Sequence, residues 1–141
     1  MDGLISRRQL SLDLALALLA RVREEAEARD LALAAAAVDG AGHILASQRM
    51  DGAALGAMRL AVGKAFTAAS WATPTGEFGG STQPGGDDWG WNTTDERIVV
   101  YAGGVPLLVD GELVGALGAS GGTASEDEEC VAAAARALGF D

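Results

Sequence analysis

Two Asp-Gly turns, each joining short apolar segments, hold this chain to a fold built on antiparallel strands. Residues 31–38, LALAAAAV, run into Asp39-Gly40-Ala41-Gly42 and then into 43–50, HILASQRM. Residues 105–110, VPLLVD, and 112–120, ELVGALGAS, meet at Asp110-Gly111. Asp-Gly turns match the twist of paired strands and so connect antiparallel neighbours. The alanine-rich run has helical propensity of its own. It is short, however, and closes on a glycine-rich turn before an alternating segment, which predicts a strand.

Helices are expected on either side of these hairpins. In 11–29 the residues Leu12, Ala15, Leu16, Leu19, Val22 and Ala26 recur at helical spacing, with Ser11 placed to cap the first turn. After the turn Asp51-Gly52, residues 53–71 carry one broad stripe of Leu55, Met58, Ala61, Val62, Ala65, Phe66 and Ala69. Gly56 and Gly63 each cost about 1 kcal/mol in a helix interior, which points to close contact with a neighbour. Thr73-Pro74 ends this helix, because the residue before proline is driven out of the helical region. RIVVY, 97–101, reads as a further strand. Ser125 with Glu128 fits a capping box for a closing helix that stops at Gly139. The sum is one domain over 1–141, an antiparallel sheet whose faces three helices can cover: a three-layer α/β/α or a two-layer α+β sandwich.

The charge balance excludes some partners. Twenty acidic against ten basic residues give a net charge of −10, the opposite of a nucleic-acid footprint and unfavourable for an anionic membrane surface. One cysteine, Cys130, excludes an internal disulfide. Together with a single histidine, His43, it leaves too few ligands for a structural zinc. No secretory h-region and no apolar run of membrane length are present, so a cytoplasmic protein is expected.

Further residues carry a family signature. VDGAGHILASQRMDGA, the helix with Gly63-Lys64-Ala65, Gln83-Pro84-Gly85-Gly86, Gly103-Gly104-Val105-Pro106-Leu107 and VDGELVGALGASGGTASEDEECVA together resemble the GlcG/HbpS family, also called heme-binding-protein-like or PduO C-terminal-like. The resemblance runs from about Ser11 to Ala135. It implies a profilin-like three-layer sandwich, a five-stranded antiparallel sheet with helices on both faces, and a homo-oligomer, from dimer to octamer. It also implies heme or a corrinoid as the ligand of some members. The chain departs from the family pattern at Asp87-Asp88-Trp89-Gly90-Trp91 and at Tyr101-Ala102-Gly103-Gly104, changes that bear on the ligand more than on the fold.

The candidate chemistry follows from residue types. Lys64 is the only lysine and sits among Leu60, Ala61, Ala65 and Ala68. Desolvation favours the neutral amine, which can serve as a base or form a Schiff base; the alternative is an ion pair with Asp39, Asp51 or another carboxylate. Glu77, in the glycine- and tryptophan-rich stretch 72–95, is a candidate acid or base. Asp39 is a second one, although its place in a turn suits side-chain hydrogen bonds to the backbone. So long a stretch without periodicity reads as a site-forming loop. There Phe78, Trp89 and Trp91 offer stacking surfaces. Gln83, Gly85, Gly86, Gly103 and Gly104 offer backbone walls for a flat ligand, with Tyr101 beside them. Gly121-Gly122-Thr123 could present amides to an anion, against the acids that follow. For heme iron, His43, Cys130, Met50 and Tyr101 have donor atoms, and His43 is the one plausible donor by type, although its place beside a turn suits a structural role.

Three functions are compatible with these residues. The first is an oligomeric small-molecule-binding protein with a flat, cofactor-like or aromatic ligand. The second is a cofactor-independent lyase, isomerase or cyclase using Lys64 with Glu77 or Asp39. The third is a structural assembly protein with its tryptophans in subunit contacts.

Overall fold

The computed structural model describes residues 1–141. Its order is α1 (Leu12–Ala28), β1 (Ala34–Asp39), β2 (Ile44–Arg49), α2 (Ala57–Trp71), β3 (Gly104–Val109), β4 (Glu112–Ser120) and α3 (Ala124–Ala137). Single 3-10 turns at Thr75–Phe78 and Trp91–Thr93 punctuate the long connection after α2. The strands form one antiparallel sheet in the order β2-β1-β4-β3. Both Asp-Gly hairpins are therefore present, and β1 with β4 forms the centre.

The sheet has four strands where five were expected. The segment 97–101 is not a strand, although Ile98 and Val99 are buried. It lies along α2 instead. Val99 N–H donates to Thr67 Oγ1 at 3.0 Å, and that hydroxyl contacts the Arg97 carbonyl at 3.4 Å. A Cβ added at Gly63 would meet Val99 Cγ2 at 2.6 Å and the Arg97 carbonyl at 2.9 Å. The missing side chain of Gly63 is what admits the segment. A β-branched run signals a half-buried extended chain, and here a helix supplies the burial that a neighbouring strand would have supplied.

Helices cover both faces. On one, Ala34, Ala36, Val38 and Ala116 meet Ala57, Ala61, Ala65, Ala68 and Ala69 of α2. Gly118 lies on this face too, and a Cβ there would overlap the Ala61 carbonyl. Small residues on both sides let α2 lie nearly against the backbone of the sheet. On the other face Ala35, Ala37, Leu107, Leu117 and Ala119 pack with Leu18, Leu19 and Val22 of α1 and Cys130, Val131 and Ala134 of α3. β1 is buried on both sides along AAAAV, which is why its sequence shows no alternation.

The helix ends follow local chemistry. Ser11 caps α1 through Leu14 N–H at 3.2 Å. The capping box of α3 is Thr123 with Glu126, two residues before the expected Ser125 and Glu128: Glu126 N–H donates to Thr123 Oγ1 at 3.2 Å, and Thr123 N–H to Glu126 Oε2 at 2.8 Å. The amino-terminal segment is strapped to the β3–β4 hairpin. Leu10 N–H donates to the Val114 carbonyl at 2.8 Å, and Arg8 pairs with Glu112 at 2.7 Å and Asp110 at 3.1 Å.

Candidate functional site

Lys64 lies on the sheet side of α2, and its side chain is 1% exposed. The ammonium donates to Asp127 Oδ2 at 2.9 Å and to the Ala119 carbonyl at 2.9 Å, with the Tyr101 ring 5.2 Å away. Asp127, 2% exposed, accepts a second hydrogen bond through Oδ1 from Gly122 N–H at 2.9 Å. The pair therefore links α2 on one face to the first turn of α3 on the other, around the end of β4. Gly103, at φ +127°, gives it room: a Cβ there would stand 2.6 Å from the lysine Nζ. Next to it Gly104 N–H donates to Thr75 Oγ1 at 2.9 Å.

Of the residues singled out in the sequence, this cluster gathers Lys64, Tyr101, Gly103, Gly104, Gly122 and Thr123. The partner of the lysine is Asp127, not Asp39 or Asp51. Ammonium and carboxylate are opposed, hydrogen-bonded and sealed from solvent, an arrangement that locks layers together. Gly121, at φ +136°, is held by close packing, since a Cβ would meet the Ala32 carbonyl at 2.6 Å.

Asp39 and Glu77 stand apart from it. Asp39 is paired with Gly115 on β4, four residues from Ala119, or about 13 Å along the strand. Its Oδ1 accepts Ala41 N–H at 2.9 Å and His43 N–H at 3.0 Å, which is turn chemistry. Glu77 is exposed in the first 3-10 turn and makes no ion pair.

The connection 72–95 folds largely on itself. Trp91 packs edge-on against Trp71, centroids 4.6 Å apart, and against Phe78 at 5.0 Å. Trp71, at the end of α2, belongs to this cluster although it lies outside the loop that the sequence marks. Gln83 Nε2 donates to the Gly79 carbonyl at 3.1 Å. Gly85, at φ +87°, is exposed, and Gly86 is folded closely against the Ser81 carbonyl. Trp89 is 65% exposed and lies outside the aromatic cluster.

A groove of about 620 Å³ opens elsewhere, between the β1–β2 turn, the outer side of α2 and residues 96–99. That volume suits a small-molecule site, for which roughly 300–1,000 Å³ is usual. Met58, Val62 and Phe66 recur every four residues of α2 and form its apolar side. His43 stands at the turn, its Nδ1 3.6 Å from Asp39 Oδ2, too far for a hydrogen bond. Gly42, at φ +85°, lets the turn approach the helix, since a Cβ would meet Phe66 Cδ2 at 2.9 Å. Arg59 and Arg97 bring positive charge to the groove. Arg97 lies over the Phe66 ring, 4.0 Å from its centroid, and Asp95 holds it at 2.6 and 3.0 Å. Hydrogen bonds from the Arg97 side chain and backbone hold the Asp95 carboxyl well below its ordinary value, at about 2.

His43 is the one expected site residue that lines this groove. Met58, Val62 and Phe66 belong to the broad helical stripe of the sequence, and no local pattern marks Arg59 or Arg97. The signal lies in the width of the stripe. A helix whose apolar positions span more than one face has more surface than one sheet can cover.

A family model described as haem degrading protein HbpS-like matches residues 10–136. The chain belongs to this GlcG/HbpS family. Protein GlcG of Escherichia coli K12 is 35% identical over 111 residues, 79% of this chain and 81% of GlcG. An uncharacterized 15.0 kDa protein of Citrobacter freundii is 38% identical over 91 residues, 64% of each chain. The corrinoid adenosyltransferase PduO of Salmonella typhimurium is 33% identical over 116 residues, 82% of this chain and 34% of PduO. This HbpS-like chain thus spans less than two thirds of the last two. Among solved structures, the PduOC:heme complex superposes with a TM-score of 0.90 at 30% identity, over 94% of this chain and 97% of that one. Klebsiella pneumoniae protein ORFY superposes with a TM-score of 0.91 at 30% identity, over 98% of each. No helix is long and apolar enough to cross a membrane.

Proposed function

We propose that this HbpS-like chain binds a flat, largely apolar small molecule of the heme type in the groove beside α2. The observation that carries the reading is that the only histidine of the chain opens on an apolar groove of about 620 Å³. Support comes from the superposed PduOC structure, which is a heme complex. When bound, heme would supply an iron that the His43 imidazole could ligate. His43 Nδ1 faces Asp39 at 3.6 Å without a hydrogen bond, so Nε2, on the far side of the ring, would be the donor. Met58, Val62 and Phe66 offer the apolar surface that a macrocycle face requires.

A homo-oligomer belongs to the same proposal. Leu12 and Leu16 on α1, Leu55, Trp89 and Tyr101 are large apolar groups left exposed on the single chain, and light scattering reads the assembly directly. Hemin titration followed in the Soret region tests the ligand. A saturable shift at micromolar hemin, altered in position and weakened in His43→Ala, is expected. No shift, or the same titration in His43→Ala, would remove heme or the histidine respectively. A parallel titration with cobalamin reads a corrinoid as the alternative ligand.

A further inference from the structure

The two guanidinium groups of the groove are held differently. Arg97 spends Nε and Nη2 on Asp95, and its backbone N–H donates to the same carboxylate at 2.9 Å. Its carbonyl contacts Thr67 Oγ1, and its guanidinium lies flat over Phe66. Nη1 makes no hydrogen bond within the protein. Arg59 has one charged neighbour, Glu96 at 3.6 Å, beyond hydrogen-bond range, and its side chain is 78% exposed. One side of an apolar groove therefore carries unspent guanidinium N–H groups: Nη1 of Arg97, whose orientation Asp95 fixes, and the fork of Arg59. A planar fork with free N–H groups matches a carboxylate better than any other common anion short of phosphate. The apolar helix side, Met58, Val62 and Phe66, favours an anion carried on an apolar body over a free, fully hydrated phosphate. A chain of net charge −10 does not attract anions as a whole, so carboxylate capture here depends on these local groups. Two acids oppose it: Glu96 lines the groove, and Asp39 stands behind His43.

Resting on the groove as the ligand site, we propose that it selects flat ligands by their carboxylates. Arg97 and Arg59 are the binding residues, and Asp95 is a positioning residue that keeps Arg97 on Phe66. Glu96 restrains Arg59 until a ligand carboxylate replaces it. The ligand class is a planar, apolar body with carboxylate arms on one edge, with or without a metal at its centre.

Metal-free protoporphyrin IX and its dimethyl ester, followed by fluorescence titration, separate this from iron ligation by His43. The acid should bind more tightly than the ester by about tenfold to a hundredfold, the usual effect of a charge-assisted hydrogen bond. Arg97→Gln and Arg59→Gln should each move the acid-to-ester ratio toward one. Asp95→Asn should weaken the acid and leave the ester unchanged, a split that a merely structural role would not produce. Glu96→Gln should tighten the acid. All four side chains are at or near the surface, so circular dichroism should report an intact fold. Equal affinity for acid and ester, or an unchanged ratio in Arg97→Gln, overturns carboxylate selection and leaves the groove reading in place. If neither compound binds at micromolar concentration, the groove reading falls and this inference falls with it.

Discussion

Replacing Lys64 by methionine keeps most of the length of the side chain and removes its charge. Asp127, 2% exposed, is then left with Gly122 N–H as its sole hydrogen-bond donor, and the Ala119 carbonyl loses the ammonium. Removing one partner of a buried pair costs about 3–5 kcal/mol, because the remaining charge stays desolvated. A domain is stable by about 5–15 kcal/mol, so this one change takes a large part of the total. With a urea slope of about 2 kcal/mol/M, the midpoint should fall by roughly 1.5–2.5 M. Urea unfolding followed by far-UV circular dichroism measures it. Asp127→Asn keeps one acceptor oxygen where the carboxylate has two, so either Gly122 N–H or the Lys64 ammonium meets an amide donor, and the buried ammonium loses its counter-charge; it should cost about as much. The double variant should cost clearly less than the sum of the two, with a coupling of about 1–3 kcal/mol. A Lys64→Met midpoint within about 0.5 M of the parent, roughly 1 kcal/mol on the same slope, would refute the pair as the tie between the helical layers. Additive single and double variants would refute it equally.

Two further outcomes follow from packing and charge. Gly118→Ala places a Cβ against the Ala61 carbonyl and should push α2 off the sheet; a loss of about 1–3 kcal/mol in the same unfolding assay is expected, and a neutral result would mean that the helix does not sit so close. The carboxyl carbon of Asp95, followed by NMR, should titrate at about 2, below the ordinary value of 3.8. Its folded-state value is the lowered one, so its stabilising contribution is complete above about 3.8 and is lost as pH falls through about 2. Arg97→Gln should return the midpoint toward 3.8, and an unchanged midpoint would disprove the Asp95–Arg97 contact.

The hairpins were legible because Asp39-Gly40 and Asp110-Gly111 state their chemistry within two residues. The helices were legible from spacing, and α1 begins at its expected cap. The strand expected at 97–101 failed because burial of Ile98 and Val99 does not say what buries them, and the admitting feature, Gly63, is more than 30 residues away. A still longer separation in sequence hid the partner of Lys64. Lysine alone suggests reactivity, and Asp127 by itself reads as a first-turn carboxylate; only the end of β4 brings them together. The groove is obscured in the sequence because Met58, Val62 and Phe66 share one stripe with Ala61 and Ala65. The alanines fill the close contact with the sheet, and the larger residues remain on the flank. His43 is a donor by type, but its neighbours Arg59 and Arg97 lie on elements that no local pattern connects to it.

The most direct test of the heme reading is a crystal structure of the protein soaked or grown with hemin, with data collected at the iron absorption edge. The expected result is a single anomalous peak in the groove beside His43, with the macrocycle against Met58, Val62 and Phe66. A peak among Trp71, Phe78 and Trp91, or no peak at full hemin occupancy in solution, would contradict the assignment of the groove as the site.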